Sequence, residues 1–518
     1  MLTRRTMDAR RSLMSDQEEQ AGQAGSASKR KYPWKAMAFL MAAAATQSYA
    51  SSGLQAVLEL YFTTFLLKST LPSSSNLRIS KLASTSFNIW VGIMDMASLS
   101  AGFLADLVLG NCKTQIISNF LNCAGVSLLM FSTWQLLASS QETGPTTHPD
   151  LNMNSTSTTN GALDLTLASI GLLSLAIGYG QLSAIQSVFV GDQFSDTQQE
   201  AKLHSFSWYY LFLNVGSLLS ESGAPILRQT FNFLICYSTV AGTVFLSTVC
   251  FFLGLPSYRK VALVKKEDRE DTIDESESLL GGTNRCALDK CTQDESTRSR
   301  WCKIMSTLRE LQGIVKVFTP LIVYWMLFYQ QNSTWVLQGG RMNCYFGNLH
   351  VPPDLMPSFN DVLVICLIPL LDYLIYPHIE RVMGFKVMPL HKIGSGMVCA
   401  ALAFVLAGLL ELYIVVPEVD CRGGVSLAWQ VPQYILISFA EVLVAISGLE
   451  FAYSQAPDNL RNIVTALWCI SQAFGTALMA GLVEITIPRQ WQFFVYAALM
   501  SLLIVVSAAW NRNYKYRI

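Results

Sequence analysis

The feature that most constrains this chain is a succession of long apolar runs separated by short polar stretches. A helix needs roughly 20 mainly apolar residues to cross the hydrocarbon core of a bilayer. Only 14% of the residues are charged, against about 25% in soluble domains. We therefore predict an all-α membrane protein with one transmembrane helix for each run. The twelve runs cover residues 36–67, 82–109, 114–138, 164–190, 205–227, 232–255, 317–339, 358–378, 393–415, 428–454, 462–486 and 491–510.

One long charged stretch divides these runs into two sets of six. We interpret residues 256–316 as a cytoplasmic linker between an N-terminal half, 36–255, and a C-terminal half, 317–510. Two matching sets of helices are typical of transporters built from repeats. We predict that residues 1–35 form a disordered cytoplasmic tail and that residues 511–518 form a cytoplasmic C-terminal tail.

The lysines and arginines predict the orientation. If the N-terminus is cytoplasmic, 29 of the 36 positive residues lie on the cytoplasmic side and 7 outside; without the linker, the ratio is 17 to 7. Positive residues favour the cytoplasmic side, so both termini are predicted there. Asn154, in an Asn-Ser-Thr tripeptide of an outer loop, is a predicted glycosylation site. Cys344 and Cys421 also fall in outer loops, where a disulfide and two separate thiols both remain open.

The motifs of several other protein classes are missing. The sequence contains no Walker loop, no zinc-ligand spacing, no nucleophile elbow and no basic face for nucleic acid. We therefore expect neither an enzyme nor a nucleic-acid-binding protein, with no metal and no cofactor.

Four groups of residues occur in an order that resembles a known family. The first is Gly102-Phe-Leu-Ala-Asp106-Leu-Val-Leu-Gly110 at the inner end of the second helix, and the next is Gly191-Asp192-Gln-Phe. Helix 7 then contains Gln331-Asn-Ser-Thr-Trp-Val-Leu-Gln. Helix 10 contains Glu441-Val-Leu-Val-Ala-Ile-Ser-Gly-Leu-Glu-Phe-Ala-Tyr-Ser-Gln-Ala-Pro. Together these motifs resemble the proton-coupled oligopeptide transporter (peptide transporter) family of the major facilitator superfamily.

The resemblance implies a major facilitator fold and transport of small peptides or peptide-like solutes by proton symport with alternating access. It implies a gating motif of Gly102, Asp106, Gly110 and Asp192. Glu441 matches the glutamate that binds the peptide amino group. The other substrate-binding candidates that the resemblance implies are Tyr210, Asn214, Asn360, Trp468, Gln331 and Ser183.

Two parts of the sequence depart from the family pattern. Ala44–Tyr49 replaces the first-helix Glu-x-x-Glu-Arg motif, and Ser183 stands where the family has a lysine. A carboxylate that leaves water without a positive partner loses several kcal/mol. An uncoupled or non-peptide carrier of neutral or cationic solutes therefore remains open as an alternative. So does a receptor or scaffold protein that has lost transport.

The remaining acids supply candidates for proton coupling. We expect Asp95 or Glu441 to bind the coupling proton, because intramembrane acids are rare and mostly functional. The alternative for Asp95 is a structural hydrogen bond with Ser98 or Ser100.

A short pattern in the linker concerns the membrane in which the protein resides. Glu275, Leu279 and Leu280 form an acidic dileucine pattern that is typical of binding to sorting adaptors. An ordinary disordered linker is the alternative reading. We therefore expect a multi-pass protein of the plasma membrane or of the endosomal or lysosomal membrane.

Overall fold

The chain folds almost entirely into helices. The computed structural model describes residues 32–62, 76–142, 157–195, 198–231, 233–259, 311–347, 349–384, 386–414, 424–457, 460–483 and 488–512, together with 514 and 516. The N-terminal half contains α1 (Trp34–Tyr61), α2 (Asn76–Phe103), α3 (Asn111–Glu142), α4 (Ser157–Gly191), α5 (Gln199–Thr230) and α6 (Phe233–Gly254). A π-helical turn, Leu104–Leu109, follows α2.

The C-terminal half repeats this arrangement with more irregular backbone. It contains α7 (Leu311–Gly340), α8 (Met356–Met383), α9 (Pro389–Tyr413), α10 (Val431–Gln455), α11 (Arg461–Val483) and α12 (Arg489–Asn511). A 3-10 turn at Tyr329–Asn332 interrupts α7. Pro369 and a π turn at Leu371–Ile375 interrupt α8, because proline lacks the amide hydrogen that a regular helix needs. The described part of α7 begins at Leu311, inside the range predicted as linker.

Ten of the described helices are long and apolar enough to cross a membrane. The all-α membrane architecture is thus confirmed, whereas twelve transmembrane helices remain a prediction, because α1 and α5 are not among the ten. Both are rich in polar side chains. Gln47, Ser48, Ser51 and Gln55 lie on α1, and α5 contains the stretch 214–221 with an asparagine, two serines and a glutamate.

Within each half, neighbouring helices pack through small residues. The backbone carbonyl of Gly171 on α4 would lie 2.7 Å from a Cβ added to Gly125 on α3, so neither position has room for a larger side chain. Small residues of this kind let membrane helices approach closely. Between the halves, α2 and α4 contact α11, and α5 contacts α8.

A small β-hairpin follows α7. The all-α prediction did not include this hairpin. Strand β1 (Tyr345–Phe346) pairs antiparallel with β2 (Leu349–His350). The backbone amide of Asn343 donates to the carbonyl of Val425 over 2.7 Å, so the segment before the hairpin lies against the start of the α10 region. Cys344 in this segment is disulfide-bonded. Cys421, the predicted partner, lies outside the described residues.

Candidate functional site

A cavity of about 310 Å³ lies between the two halves. Its wall combines residues of α1, α2, α4 and α5 with residues of α7, α10 and α11. The polar part of the wall consists of Gln47, Ser48, Ser51, Gln55, Ser183, Gln186, Ser187 and Gln472. The aromatic part consists of Tyr179, Tyr209, Tyr210, Trp325, Phe328, Tyr329 and Trp468. Volumes of 300–1,000 Å³ are typical of small-molecule sites.

Glu441 is the centre of a hydrogen-bonded group beside this cavity. The hydroxyl of Tyr210 on α5 donates to Oε1 of Glu441 over 2.6 Å, and Nδ2 of Asn360 on α8 donates to Oε2 over 2.7 Å. The hydroxyl of Ser438 donates to Oδ1 of Asn360 over 2.5 Å and fixes its orientation. Because only Tyr210 of this group lines the cavity, Glu441 acts on the cavity through that tyrosine in this conformation.

The other predicted substrate-binding residues separate into two sets. Ser183 and Trp468 line the cavity, on α4 and α11 respectively. Asn214 does not line it; its side chain donates to the backbone carbonyl of Tyr210 over 2.8 Å and so positions that tyrosine. Gln331 is also away from the cavity wall. It is buried, and its side-chain oxygen has no hydrogen-bond partner among the described residues.

Asp95 lies in the middle of α2, next to the cavity residue Met94. Its carboxyl group interacts electrostatically with Tyr329 and Cys469, which both line the cavity. The alternative in which Ser98 or Ser100 holds the carboxyl group is wrong. Their hydroxyls donate to backbone carbonyls, those of Asp95 and Ala97 respectively.

The sequence reasoning missed two further acids. Glu221 on α5 and Asp361 on α8 interact electrostatically with each other and with Glu441. Both stand close to the ends of their apolar runs, so their positions alone gave no reason to single them out. Within the described residues, neither forms an ion pair, and Oδ2 of Asp361 is buried without a hydrogen-bond partner.

The polar face of α1 was also missed as a lining surface. Gln47, Ser51 and Gln55 recur every four residues, so they share one face of the helix. This spacing is the signal that the sequence contained. An amphipathic pattern inside an apolar run indicates a helix that faces a polar cavity on one side.

The predicted gating residues meet at one end of the molecule. Asp106 accepts hydrogen bonds from the backbone amide of Ile463 over 2.9 Å and from the side chain of Asn462 over 2.6 Å, at the first turn of α11. Gly102 leaves room for this contact, since an added Cβ would lie 3.0 Å from the Asn462 carbonyl oxygen. Gly110 has a φ of 81°, which glycine adopts without strain.

Asp192 completes this contact between the halves. Its carboxylate accepts a hydrogen bond from Asn111 over 2.7 Å and another from Tyr453 of α10 over 3.0 Å. Arg461 of α11 lies 3.7 Å from the same carboxylate and 4.6 Å from the Tyr453 ring centre. The four predicted gating residues therefore belong to one polar contact that holds the halves together at this end.

Two further predictions concern residues outside the described part of the chain. Asn154, the predicted glycosylation site, is one of them. Glu275, Leu279 and Leu280, the predicted sorting pattern, lie there as well.

Comparison with known proteins identifies the family. The sequence profile described as the POT family matches residues 113–274 and 285–495. The chain is 25% identical over 511 residues to Protein NRT1/PTR FAMILY 7.3 of Arabidopsis thaliana, covering 84% of this chain and 82% of that protein. It is 26% identical over 386 residues to Solute carrier family 15 member 1 of Rattus norvegicus, covering 70% of this chain but only 49% of that protein.

Solved structures of the same family have a similar fold. The in meso crystal structure of the POT family transporter PepTSo has a TM-score of 0.64 at 23% identity, covering 94% of this chain and 99% of that chain. A POT family transporter in complex with 5-aminolevulinic acid has a TM-score of 0.57 at 15% identity, covering 92% of this chain and 96% of that one. Since the profile matches well over half of the residues, this chain belongs to the POT family of multi-pass membrane transporters.

Proposed function

We propose that this protein is a secondary active transporter that moves small peptides or peptide-like solutes by proton symport. The observation that carries the proposal is the buried Glu441 carboxyl group, which Tyr210 and Asn360 hold beside a cavity that both halves line. An acid in this position suits a ligand with an amino group. Intramembrane acids of this kind mark substrate and proton pathways.

Alternating access supplies the mechanism of the proposed transport. The two halves touch through the Asp106 and Asp192 contacts at one end, which the charge pattern predicts to be cytoplasmic. Breaking these contacts would open the cavity at that end while the opposite end closes. Each of them is a hydrogen bond or ion pair that crosses between the halves. Rigid halves that rock about a central site use contacts of this type.

Protons are the proposed coupling ion, with Asp95 and Glu441 as their binding groups. Burial away from water favours the neutral form of a carboxyl group. Within the described residues, no lysine or arginine pairs with either acid, so a proton is the available neutralising charge. Glu221 and Asp361 face Glu441 and make a second negative charge there unfavourable.

Uptake into proteoliposomes tests the transport proposal. We expect a labelled dipeptide to accumulate when the outside is acidic, and accumulation to stop when an ionophore removes the gradient. Asp95→Asn is expected to flatten the pH dependence, because asparagine cannot bind the proton. Glu380→Gln is the matched control, since Glu380 accepts a hydrogen bond from the backbone amide of Val387 in the same half and does not line the cavity. Full pH dependence in Asp95→Asn would exclude Asp95 as the coupling group.

An uncoupled carrier of non-peptide solutes is the second candidate. It is favoured by the cavity wall, in which none of the lining residues is charged. In the same proteoliposomes, a solute whose internal concentration rises only to the external one, at a rate that does not depend on the pH gradient, would support an uncoupled carrier over the proton symporter.

The location of the protein is also a proposal. We propose cytoplasmic termini and residence in the plasma membrane or an endosomal or lysosomal membrane, with an adaptor that binds Glu275, Leu279 and Leu280. Replacing both leucines by alanine is expected to move a tagged protein to the cell surface. An unchanged distribution would contradict the adaptor.

A further inference from the structure

Four acids lie beside the cavity or behind its wall. Asp95 lies on one side of it, and Glu441 lies behind Tyr210 with Glu221 and Asp361 beyond. Within the described residues, none of these four carboxyl groups forms an ion pair. A cavity with acids on two sides and no compensating cation has a negative potential whenever one of these acids is ionised, and low-dielectric walls strengthen it.

Five described positive residues near helix ends have partners outside the cavity. Arg341 pairs with Glu411 over 2.6 Å, Lys392 lies 3.4 Å from Glu450, and Arg461 lies 3.7 Å from Asp192. Lys202 and Arg259 are also held away from the cavity, over the ring of Tyr453 and by the carbonyl of Phe194 respectively. None of them lines the cavity. A ligand carboxylate would therefore find no charged partner in the wall.

Aromatic rings form the C-terminal side of the cavity. The rings of Trp325 and Trp468 lie 5.6 Å apart, and Trp325 also contacts Phe328 at 5.5 Å and Tyr329 at 6.0 Å. Aromatic faces attract a cation that lies within about 6 Å of the ring centre. They also fit the apolar body of a ligand. This wall therefore favours a positively charged ligand, as the acids do.

The hydroxyl of Tyr210 connects the buried acid to the cavity. Its hydrogen is donated to Glu441, so its oxygen offers only lone pairs to the cavity. Such an oxygen accepts a hydrogen bond from an ammonium group and repels a carboxylate. Ser183 stands on the α4 wall, with a hydroxyl that is donated to the Gly180 carbonyl over 2.7 Å.

We propose that the cavity selects a monocationic amine with an aromatic or apolar body and rejects a ligand with a free carboxylate. The inference rests on the proposed transport function and narrows its substrate class. An ammonium group would meet Tyr210, the aromatic rings and the negative potential, whereas a carboxylate would lose water without gaining a charged partner in the wall.

Four ligands with one body and different end charges test the proposal. These are Ala-Phe, Ala-Phe amide, N-acetyl-Ala-Phe and N-acetyl-Ala-Phe amide, measured by thermal shift on the purified full chain. We expect the cationic Ala-Phe amide to bind at least tenfold tighter than Ala-Phe, and the anionic N-acetyl-Ala-Phe not to bind. Equal or tighter binding of Ala-Phe, binding of N-acetyl-Ala-Phe, or no binding of the amide would overturn the proposal.

A charge introduced at Ser183 supplies a second, gain-of-function test. Ser183→Lys is expected to reverse the preference, so that Ala-Phe binds tighter than its amide. Ser183→Met is the matched control, because it adds a side chain of similar length without charge. If lysine and methionine have the same effect on the ratio of the two affinities, the charge argument is wrong. This ratio is informative even if both variants are less stable than the parent.

Uptake measured beside binding separates this inference from the transport proposal. Proton-driven accumulation of Ala-Phe with no preference for the amide would overturn the inference and leave the transport proposal standing. Tight, selective binding of the amide without proton-driven uptake of either ligand would support the inference and overturn the transport proposal.

Discussion

At the scale of single residues, the central feature is an acid that is buried and hydrogen-bonded and that has no cationic partner in the described part of the chain. Glu441 accepts from both Tyr210 and Asn360, which come from different halves of the molecule. A rearrangement of the halves therefore changes the environment of this carboxyl group directly. Such a group would connect ligand binding in the cavity to the proposed change of conformation.

Replacing Glu441 by glutamine is expected to weaken the binding of an amine by about ten- to a hundredfold. The hydrogen bond from Tyr210 to a charged Glu441 contributes roughly 1.5–3 kcal/mol. Glutamine keeps the shape but not the charge that makes the Tyr210 oxygen a good acceptor for the amine. Amine binding to the purified protein measures the change. Asp372→Asn, a similar change on α8 outside the cavity, is expected to have no effect. Equal loss in both variants would mean that the effect is not specific to the site.

Replacing Gly448 by alanine is expected to reshape the cavity. A Cβ at Gly448 would overlap the ring of Trp468, which lines the cavity. Overpacking of this kind costs about 1–3 kcal/mol, so we expect a lower melting temperature and weaker substrate binding. Gly242→Ala on α6 is the control, because an added Cβ there meets nothing within 4 Å. Unchanged binding in Gly448→Ala would show that Trp468 does not contact the substrate.

Residue-scale features differed in how well the sequence predicted them. Glu441, Tyr210 and Asn360 were singled out because they fall in family motifs, and they do lie together. Asn214 and Gln331 came from the same reasoning but do not line the cavity. A motif places a residue on the correct helix, whereas the helix rotation that decides which face meets the cavity depends on packing between helices.

At the scale of elements, a buried polar network fixes α7 against α9 and the α10 region. Arg341 and Glu411 are both buried and lie 2.6 Å apart. Gln338 donates to the second oxygen of Glu411 over 2.9 Å, and it accepts from the side chains of Gln430 and Gln433. The broken backbone of α7 is therefore held by side chains rather than by a continuous helix.

Replacing Glu411 by glutamine is expected to destabilise the protein by about 3–5 kcal/mol, because it leaves a buried arginine without its counter-charge. The loss is measured as a lower melting temperature in detergent. The double variant Arg341→Met with Glu411→Leu removes both charges and is expected to recover most of the stability. A double variant as unstable as the single one would show that the network, rather than the unpaired charge, is responsible.

The elements themselves were largely predictable from hydropathy. The apolar run 205–227 indicated α5, which extends over Gln199–Thr230. Its polar ends contact other parts of the protein, and hydropathy cannot predict such contacts. The hairpin at Tyr345–His350 was missed for the same reason, since it is short and depends on its neighbours.

At the scale of the whole molecule, the structure is closed where α2, α4, α10 and α11 meet. Asp106 binds the first turn of α11, where free backbone amides and the helix dipole favour a negative charge. This contact crosses between the halves. In the proposed alternating-access cycle, its strength would therefore set the balance between the closed and the open state at that end.

Replacing Asp106 by asparagine is expected to shift this balance by about 0.5–2 kcal/mol, the usual range for a lost helix cap. A membrane-impermeant thiol reagent, applied from the gate end, is expected to reach the cavity residue Cys469 more readily in this variant. The same labelling of a Cys469→Ser variant measures the signal from the other cysteines, which is subtracted to give the labelling of Cys469. Labelling that Asp106→Asn leaves unchanged would mean that this aspartate does not hold the gate closed.

The polar character of α1 and α5 has a consequence for how the protein is made. The described parts of both helices fall outside the set that is long and apolar enough to cross a bilayer, yet they pack against each other. Ser48 donates to the Leu213 carbonyl over 2.7 Å, and Ser220 donates to the Tyr49 carbonyl over 2.7 Å. Lipid offers no such acceptors. We therefore expect biogenesis to retain α1 at the insertion machinery until α5 has been synthesised, so that the two helices enter the bilayer as a pair.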